Sequence, residues 1–178
     1  MREAIRTEIS AIEPLDRLER RHLEETLEWI DSGVELCRCE KPATPPKHLV
    51  SYFVLVDGDW VLLVDHIKAQ LWLPSGGHVE PGEHPAETVV REAKEELGID
   101  VSSVCERPVF LTVTKTVGLT AGHIDVSLWY VLKGDRHAVL DFDQSEFSRI
   151  KWFRRDEVPY NRTDPHLGRF LEKVAPRL

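Results

Sequence analysis

Between Gly76 and Ile99 the chain reads GGHVEPGEHPAETVVREAKEELGI, gathering four glutamates, Glu83, Glu92, Glu95 and Glu96, beside a glycine-rich turn. Carboxylates at this density need a counter-charge. Two like unit charges about 4 Å apart repel by about 4 kcal/mol at an effective dielectric near 20. A solvated helix spreads such charge, whereas a cleft holds it only against a cation. Oxygen ligands suit Mg²⁺ or Mn²⁺ rather than Zn²⁺ or copper. A dication held this way neutralises negative charge and lowers the pKa of bound water. A neighbouring carboxylate can then take the proton as general base.

The elements that must position these acids follow from the spacing. His84-Pro85 reads as a helix start, with Pro85 at the first helical position, where its missing N–H is harmless. Gly98 is the stop signal. Between them Ala86, Val89, Val90, Ala93 and Leu97 form one apolar stripe at helical spacing. At about 100° per residue, Glu92, Glu95 and Glu96 share a sector roughly 100° wide at the edge of that stripe. Glu83 precedes the helix, in a loop that Gly76, Gly77 and Gly82 can fold back sharply.

The stretch resembles the signature of the Nudix family: Gly, five residues, Glu, seven residues, then Arg-Glu-apolar-X-Glu-Glu-X-Gly-apolar. Gly77, Glu83 and Arg91 to Ile99 satisfy all nine fixed positions over 23 residues, so chance is a poor explanation. The resemblance implies an α/β/α sandwich with a mixed sheet, Mg²⁺ or Mn²⁺ as cofactor, and hydrolysis of a nucleoside diphosphate linked to another moiety. It implies that Glu92 and Glu96 bind the metal or activate water. Glu83 and Glu95 add ligands, often through water, Arg91 orients a glutamate, and Gly76 is grouped with the metal site. The catalytic set is then Glu92, Arg91 and Glu95, with Glu92 the expected base.

Two other readings keep the fold and change the activity. Isopentenyl-diphosphate isomerases look similar and carry a Gly-His pair near the metal loop, but they depend on a cysteine just before it and have a degraded box. Here Ser75-Gly76 precede Gly77-His78 and the box is intact, which disfavours the isomerase. Non-catalytic nucleotide sensors often lose box glutamates and carry a DNA-binding domain; this chain shows neither feature. Hydrolase leads. Among substrates, nucleoside triphosphates or a nucleotide sugar stay open, the former slightly favoured by the chain's small size.

Composition agrees with a compact enzyme. The 178 residues suit one domain with a sizeable core. A net charge of −8 argues against a long nucleic acid as partner, while a small nucleotide is compatible because bound metal reverses the local sign. No signal peptide or membrane span is read, and Cys37, Cys39 and Cys105 form neither a CxxC pair nor an even disulfide set. A reducing cytoplasm is the expectation.

Leu15, Leu18, Leu23, Leu27 and Ile30 follow a helical rhythm ending near Gly33, and EKPATPP reads as an extended connector. Residues 1–40 are therefore expected to form a helical arm and 41–178 the main domain. Whether the arm packs in cis or makes a homodimer is left open. Strands are expected at HLVSYFVLV and WVLLV around Asp57-Gly58-Asp59, at LWLP, at 108–116, at 123–132 and at IKWF. A loop spans Gly118–Gly122, a turn starts at Asp156-Glu157, and a closing helix runs from His166 to Val174.

Other residues carry a chemical and a bland reading side by side. His123, Asp125, Ser127 and Trp129 share one strand face that could line a substrate cleft, with Trp129 stacking a base and His123 touching phosphate. For Trp129 alone, core packing is the better account. Glu146 is a candidate loop acid, in competition with Asp141 and Asp143. Trp72 is expected to pack against the glutamate helix. Lys47, His48, Tyr52 and Lys115 could contact a base or phosphate or be ordinary strand residues. His78 is set aside as a metal ligand beside so many glutamates.

Overall fold

The computed structural model describes residues 1–41, 44–101, 107–116 and 122–175. The strands, β1 (Lys47–Asp57), β2 (Trp60–His66), β3 (Leu71–Leu73), β4 (Ser75–His78), β5 (Phe110–Lys115), β6 (Ile124–Lys133) and β7 (Phe147–Arg154), form one mixed sheet. β1 is its hub. It runs parallel to β6 over ten residue pairs from Lys47↔Ile124 to Val56↔Lys133. On its other side it pairs antiparallel with β4 near its start and with β2 near its end. Among the described residues four α-helices flank the sheet: α1 (Arg2–Ser10), α2 (Arg17–Asp31), α3 (Pro85–Leu97) and α4 (Leu167–Val174).

Strand alternation splits the core into two layers. One cluster joins Leu49, Phe53, Val126, Leu128 and Tyr130 to Val89, Ala93 and Leu97 of α3, and to Ile5, Ile9, Leu23 and Ile30 of α1 and α2. The other joins Val54, Val61, Leu63 and Trp129 to Leu167, Phe170, Leu171 and Val174 of α4. Helices on both faces of a mixed sheet give the expected α/β/α sandwich. The N-terminal helices bury their apolar residues in the core of their own chain. The buried Glu19 of α2 adds polar anchors: its carboxylate accepts from Leu15 N at 2.6 Å and Leu111 N at 3.3 Å, and meets Lys173 Nζ at 2.6 Å.

Helix α3 begins and ends where the residue types direct. His84 caps it, Glu87 accepts from His84 N at 2.7 Å, Pro85 fills the first turn, and Gly98 closes it at φ 67°. Three features depart from the sequence reading. Arg2–Ser10 form a separate helix, whose only buried apolar residues are Ile5 and Ile9. Ser75–His78 form strand β4, not a turn, because the segment pairs with β1. Trp72 lies on the face away from α3, edge-on to Phe153 with ring centroids 4.9 Å apart. The expected 118–122 loop, apart from Gly122, lies outside the described residues, as does Cys105. Among the described residues no helix is long and apolar enough to cross a membrane.

Candidate active site

The glutamates of α3 meet β4 where that strand has no side chains. Gly76 N–H donates to Glu96 Oε2 at 2.9 Å, and Gly77 lies so close to Glu92 that a Cβ there would collide with Glu92 Oε1. Gly76 itself sits at φ 145°, where a side chain would strike the carbonyl of Ser51. The two glycines thus let carboxylates rest directly on the sheet.

Arg91 organises the acids. Its Nε and Nη2 donate to Glu83 Oε1 and Oε2 at 2.9 and 3.0 Å, a two-pronged pairing. Its Nη1 reaches Glu92 Oε1 at 2.7 Å and Glu95 Oε2 at 3.3 Å, and Nη2 also donates to the carbonyl of His78 at 3.2 Å. Glu83 accepts further from Thr88 Oγ1 at 2.7 Å and Glu80 N at 3.1 Å. That fills the roughly four acceptor positions of a carboxylate, so Glu83 here serves Arg91 and has little left for a metal. Burial alone would raise Glu83, but Arg91 and Thr88 hold it below its ordinary value. Glu95 points outward, its side chain 60 % exposed.

Glu92 and Glu96 are in a different state. Glu96, 5 % exposed, is pushed up to about 9 by burial first and then by the charge of Glu92. Glu92 is raised by burial, with Glu95 and Glu146 adding to the rise against Arg91. Glu146 acts on both residues, and Asp143, whose N–H donates to the Glu96 carbonyl at 2.9 Å, acts on Glu96. The structure therefore brings Glu146 to the pair, while Asp141 touches the helix end at Gly98 through its backbone. A carboxylate pair of one buried and one partly buried acid, Glu96 and Glu92, with the charge of Glu146 acting on both, fits a bound cation.

The strand candidates divide. Trp129 is fully buried, donating from Nε1 to Thr112 Oγ1 at 3.0 Å and packing on Phe170, so it has no face for a base. Lys47 is committed to the ring of Trp29 at 4.8 Å, and Lys115 is exposed. His123 and Asp125 instead meet His48 and His78 on the sheet face opposite α3. Asp125 Oδ1 stands 3.2, 3.5 and 3.9 Å from Nε2 of His123, His48 and His78. His48 Nε2, His78 Nε2 and Asp125 Oδ1 are buried without hydrogen-bond partners. Each such group destabilises the fold by about 1–3 kcal/mol. Burial, aided by Arg38, lowers His78 to about 3.

Sequence reasoning overlooked two further residues. Arg38, half-buried after α2, feels the charges of Asp125, Glu80 and Glu92 without a salt bridge to any of them. Asp164, ahead of α4, is pushed up to about 6, mainly by burial, with Asp125 acting on it. Tyr52 on β1 lies within reach of the charges of Asp164, Asp125 and Glu96. A cavity of about 480 Å³ lies elsewhere, between Asp59, Arg155 and α4, and is lined by none of these acids or histidines.

A mixed sheet between helices carries an Arg-organised glutamate helix against a glycine strand. The NUDIX domain profile matches residues 46–174, and the chain belongs to that family. It is 29 % identical over 129 residues to the uncharacterized Nudix hydrolase YvcI of Bacillus subtilis, covering 70 % of this chain and 78 % of that one. The MutT NUDIX hydrolase of Burkholderia pseudomallei is 25 % identical with a TM-score of 0.56, over 72 % of this chain and 98 % of that one. The E. coli dihydroneopterin triphosphate pyrophosphohydrolase shares the fold at 17 % identity and TM-score 0.57, over 81 % of this chain and all of that one.

Proposed function

We propose that the protein uses Mg²⁺ or Mn²⁺ to hydrolyse the diphosphate linkage of a small nucleotide, with nucleoside triphosphates the favoured substrates. The observation that carries this reading is the pairing of buried Glu96 with partly buried Glu92, both acted on by the charge of Glu146, where negative charge exceeds what Arg91 offsets. Glu96 would hold the ion, with Glu92 and Glu146 contributing charge to the same point. When bound, the ion offsets charge on the phosphate oxygens and makes water more acidic.

The chain's own residues supply the rest. Glu92 Oε1 is fixed by Arg91, which leaves Oε2 to receive the proton of the attacking water. Burial raises the basicity of that carboxylate, which favours proton acceptance. Glu83 and His78 O hold the guanidinium of Arg91 and so fix the direction of Glu92. Arg38, without a salt bridge to Asp125, Glu80 or Glu92, is the cation this reading assigns to a substrate phosphate. Water adds to one phosphorus, the anhydride oxygen leaves with the other, and a nucleoside monophosphate plus pyrophosphate result.

A panel of nucleoside triphosphates, nucleotide sugars, ADP-ribose and dinucleoside polyphosphates, assayed with Mg²⁺ and with Mn²⁺, tests the reading. A triphosphate should be cleaved fastest, and Glu96→Gln should lower kcat by about 100-fold or more. Activity untouched in Glu96→Gln removes the metal assignment. No cleavage of any substrate with either ion favours a nucleotide sensor.

A further inference from the structure

We propose that His48, His78, His123 and Asp125 form a second metal site, distinct from the glutamates and built for a transition-metal dication, with Zn²⁺ the best fit. Strand register assembles it. The parallel β1–β6 ladder sets His48 opposite Asp125, and the antiparallel β1–β4 ladder sets Val50 opposite His78. His123 lies two residues before Asp125 and points to the same side. One ligand atom from each of the four residues lies within 4.8 Å of the other three, the only such group among the described residues.

The geometry suits a tetrahedral ion. Bonds of about 2.0–2.1 Å to imidazole nitrogen and carboxylate oxygen place neighbouring ligand atoms about 3.3 Å apart. Asp125 Oδ1 lies 3.2, 3.5 and 3.9 Å from the three Nε2 atoms. His48 is fully buried, and its Nδ1 is 2.7 Å from the carbonyl of Pro45. A carbonyl only accepts, so Nδ1 carries the proton and Nε2 presents its lone pair to the cluster. Outer hydrogen bonds of this kind accompany histidines that bind metals. Thr116 Oγ1, 3.4 Å from His123 Nδ1, stands in a similar place.

A hydrogen-bonded network without metal accounts for less. One carboxylate oxygen faces three Nε2 atoms, and two of those nitrogens stay buried and unpartnered. A cation at their centre engages all four atoms at once. Donor chemistry then separates the two sites: three imidazoles and one carboxylate favour Zn²⁺ over Mg²⁺, whereas the glutamates offer oxygen alone. The proposal does not depend on which diphosphate is cleaved. Its consequence reaches the glutamates, because β4 carries His78 into the cluster while its Gly76 and Gly77 seat Glu96 and Glu92.

The full chain, stripped with EDTA, is titrated with Zn²⁺ by calorimetry and with Co²⁺ by visible absorption. The expected result is one tight ion per chain, tetrahedral Co²⁺ bands, and a higher Tm with Zn²⁺. His123→Gln and Asp125→Asn should each weaken binding by about 100-fold or more, while Glu96→Gln keeps it. His78→Gln, at a partly exposed residue, serves if either variant misfolds by circular dichroism. Zn²⁺ binding no tighter than millimolar in the wild type overturns the proposal. So does binding that survives the histidine and aspartate changes but disappears in Glu96→Gln.

Discussion

The glutamate site and the histidine cluster share β4 and lie toward opposite faces of the sheet, yet they manage charge in contrary ways. The glutamates crowd negative charge onto one helix and the loop before it, offset part of it with Arg91, and hold the remainder at partly buried Glu92 and buried Glu96. The cluster surrounds one acid with three imidazoles, and Arg38 acts on it by charge without forming a salt bridge to Asp125. Position comes from different sources too. In the first, a helix pitch and two side-chain-free residues aim the acids; in the second, the register of three strands does so. The difference teaches that a site built on a helix is set by spacing, whereas one built across strands is set by pairing.

Gly77→Ala is the change that should separate the two regions most. The added methyl takes the volume of Glu92 Oε1, and the nearest relief is to swing Glu92 away from Arg91. Loss of a positioned general base corresponds to about 10²–10⁴ in rate, so kcat should fall by at least about 100-fold. The histidine cluster faces the other side of β4 and should keep its metal affinity. Full activity in Gly77→Ala would mean that Glu92 has room to move and that the glycine is not what seats it.

Arg91→Lys tests the pairing within the glutamate site and should have a smaller effect. A lysine keeps the charge but cannot donate to both oxygens of Glu83 while also holding Glu92. Misplacing such a supporting group typically lowers metal affinity or activity by about 10–100-fold. The fall should appear in kcat more than in KM, since Arg91 acts through Glu92. A change confined to KM would instead put Arg91 on the substrate.

How much of this was legible in the sequence follows the same division. Glu83, Arg91, Glu92, Glu95 and Glu96 fall within one short local pattern, so helix pitch and the glycine stop fixed their neighbourhood in advance. The direction of each side chain was not legible. Glu83 spends its acceptors on Arg91, Thr88 and Glu80, and Glu95 turns to solvent, outcomes that depend on where one guanidinium comes to rest. Strand β3 is three residues long, too short for alternation to reveal which face takes Trp72. Strand alternation alone puts His123 and Asp125 on one face, but His48 and His78 join them only through pairings remote in sequence. The signal that could have found the cluster is several histidines near the starts or ends of strands expected to be neighbours.

The two regions should also oppose each other in the pH dependence of the metal-free protein, an effect smaller than either loss of activity. Glu96 is raised to about 9 by burial and by Glu92, with Glu146 and Asp143 adding and Gly76 N–H opposing. Its contribution to stability is present below the ordinary value of 4.5 and is lost as pH rises through about 9. His78 is lowered to about 3, by burial first and by Arg38, His48 and His123, against Asp125. The folded state then binds fewer protons, so stability is present above the ordinary value of 6.5 and is lost as pH falls toward 3. Between these two ordinary values the effects partly cancel, leaving a dome in Tm. In EDTA, Glu96→Gln should flatten the alkaline limb alone and His78→Gln the acid limb alone. An alkaline limb unchanged in Glu96→Gln would show that its carboxylate does not carry the strain of the glutamate site, and the contrast between the regions would then rest on geometry alone.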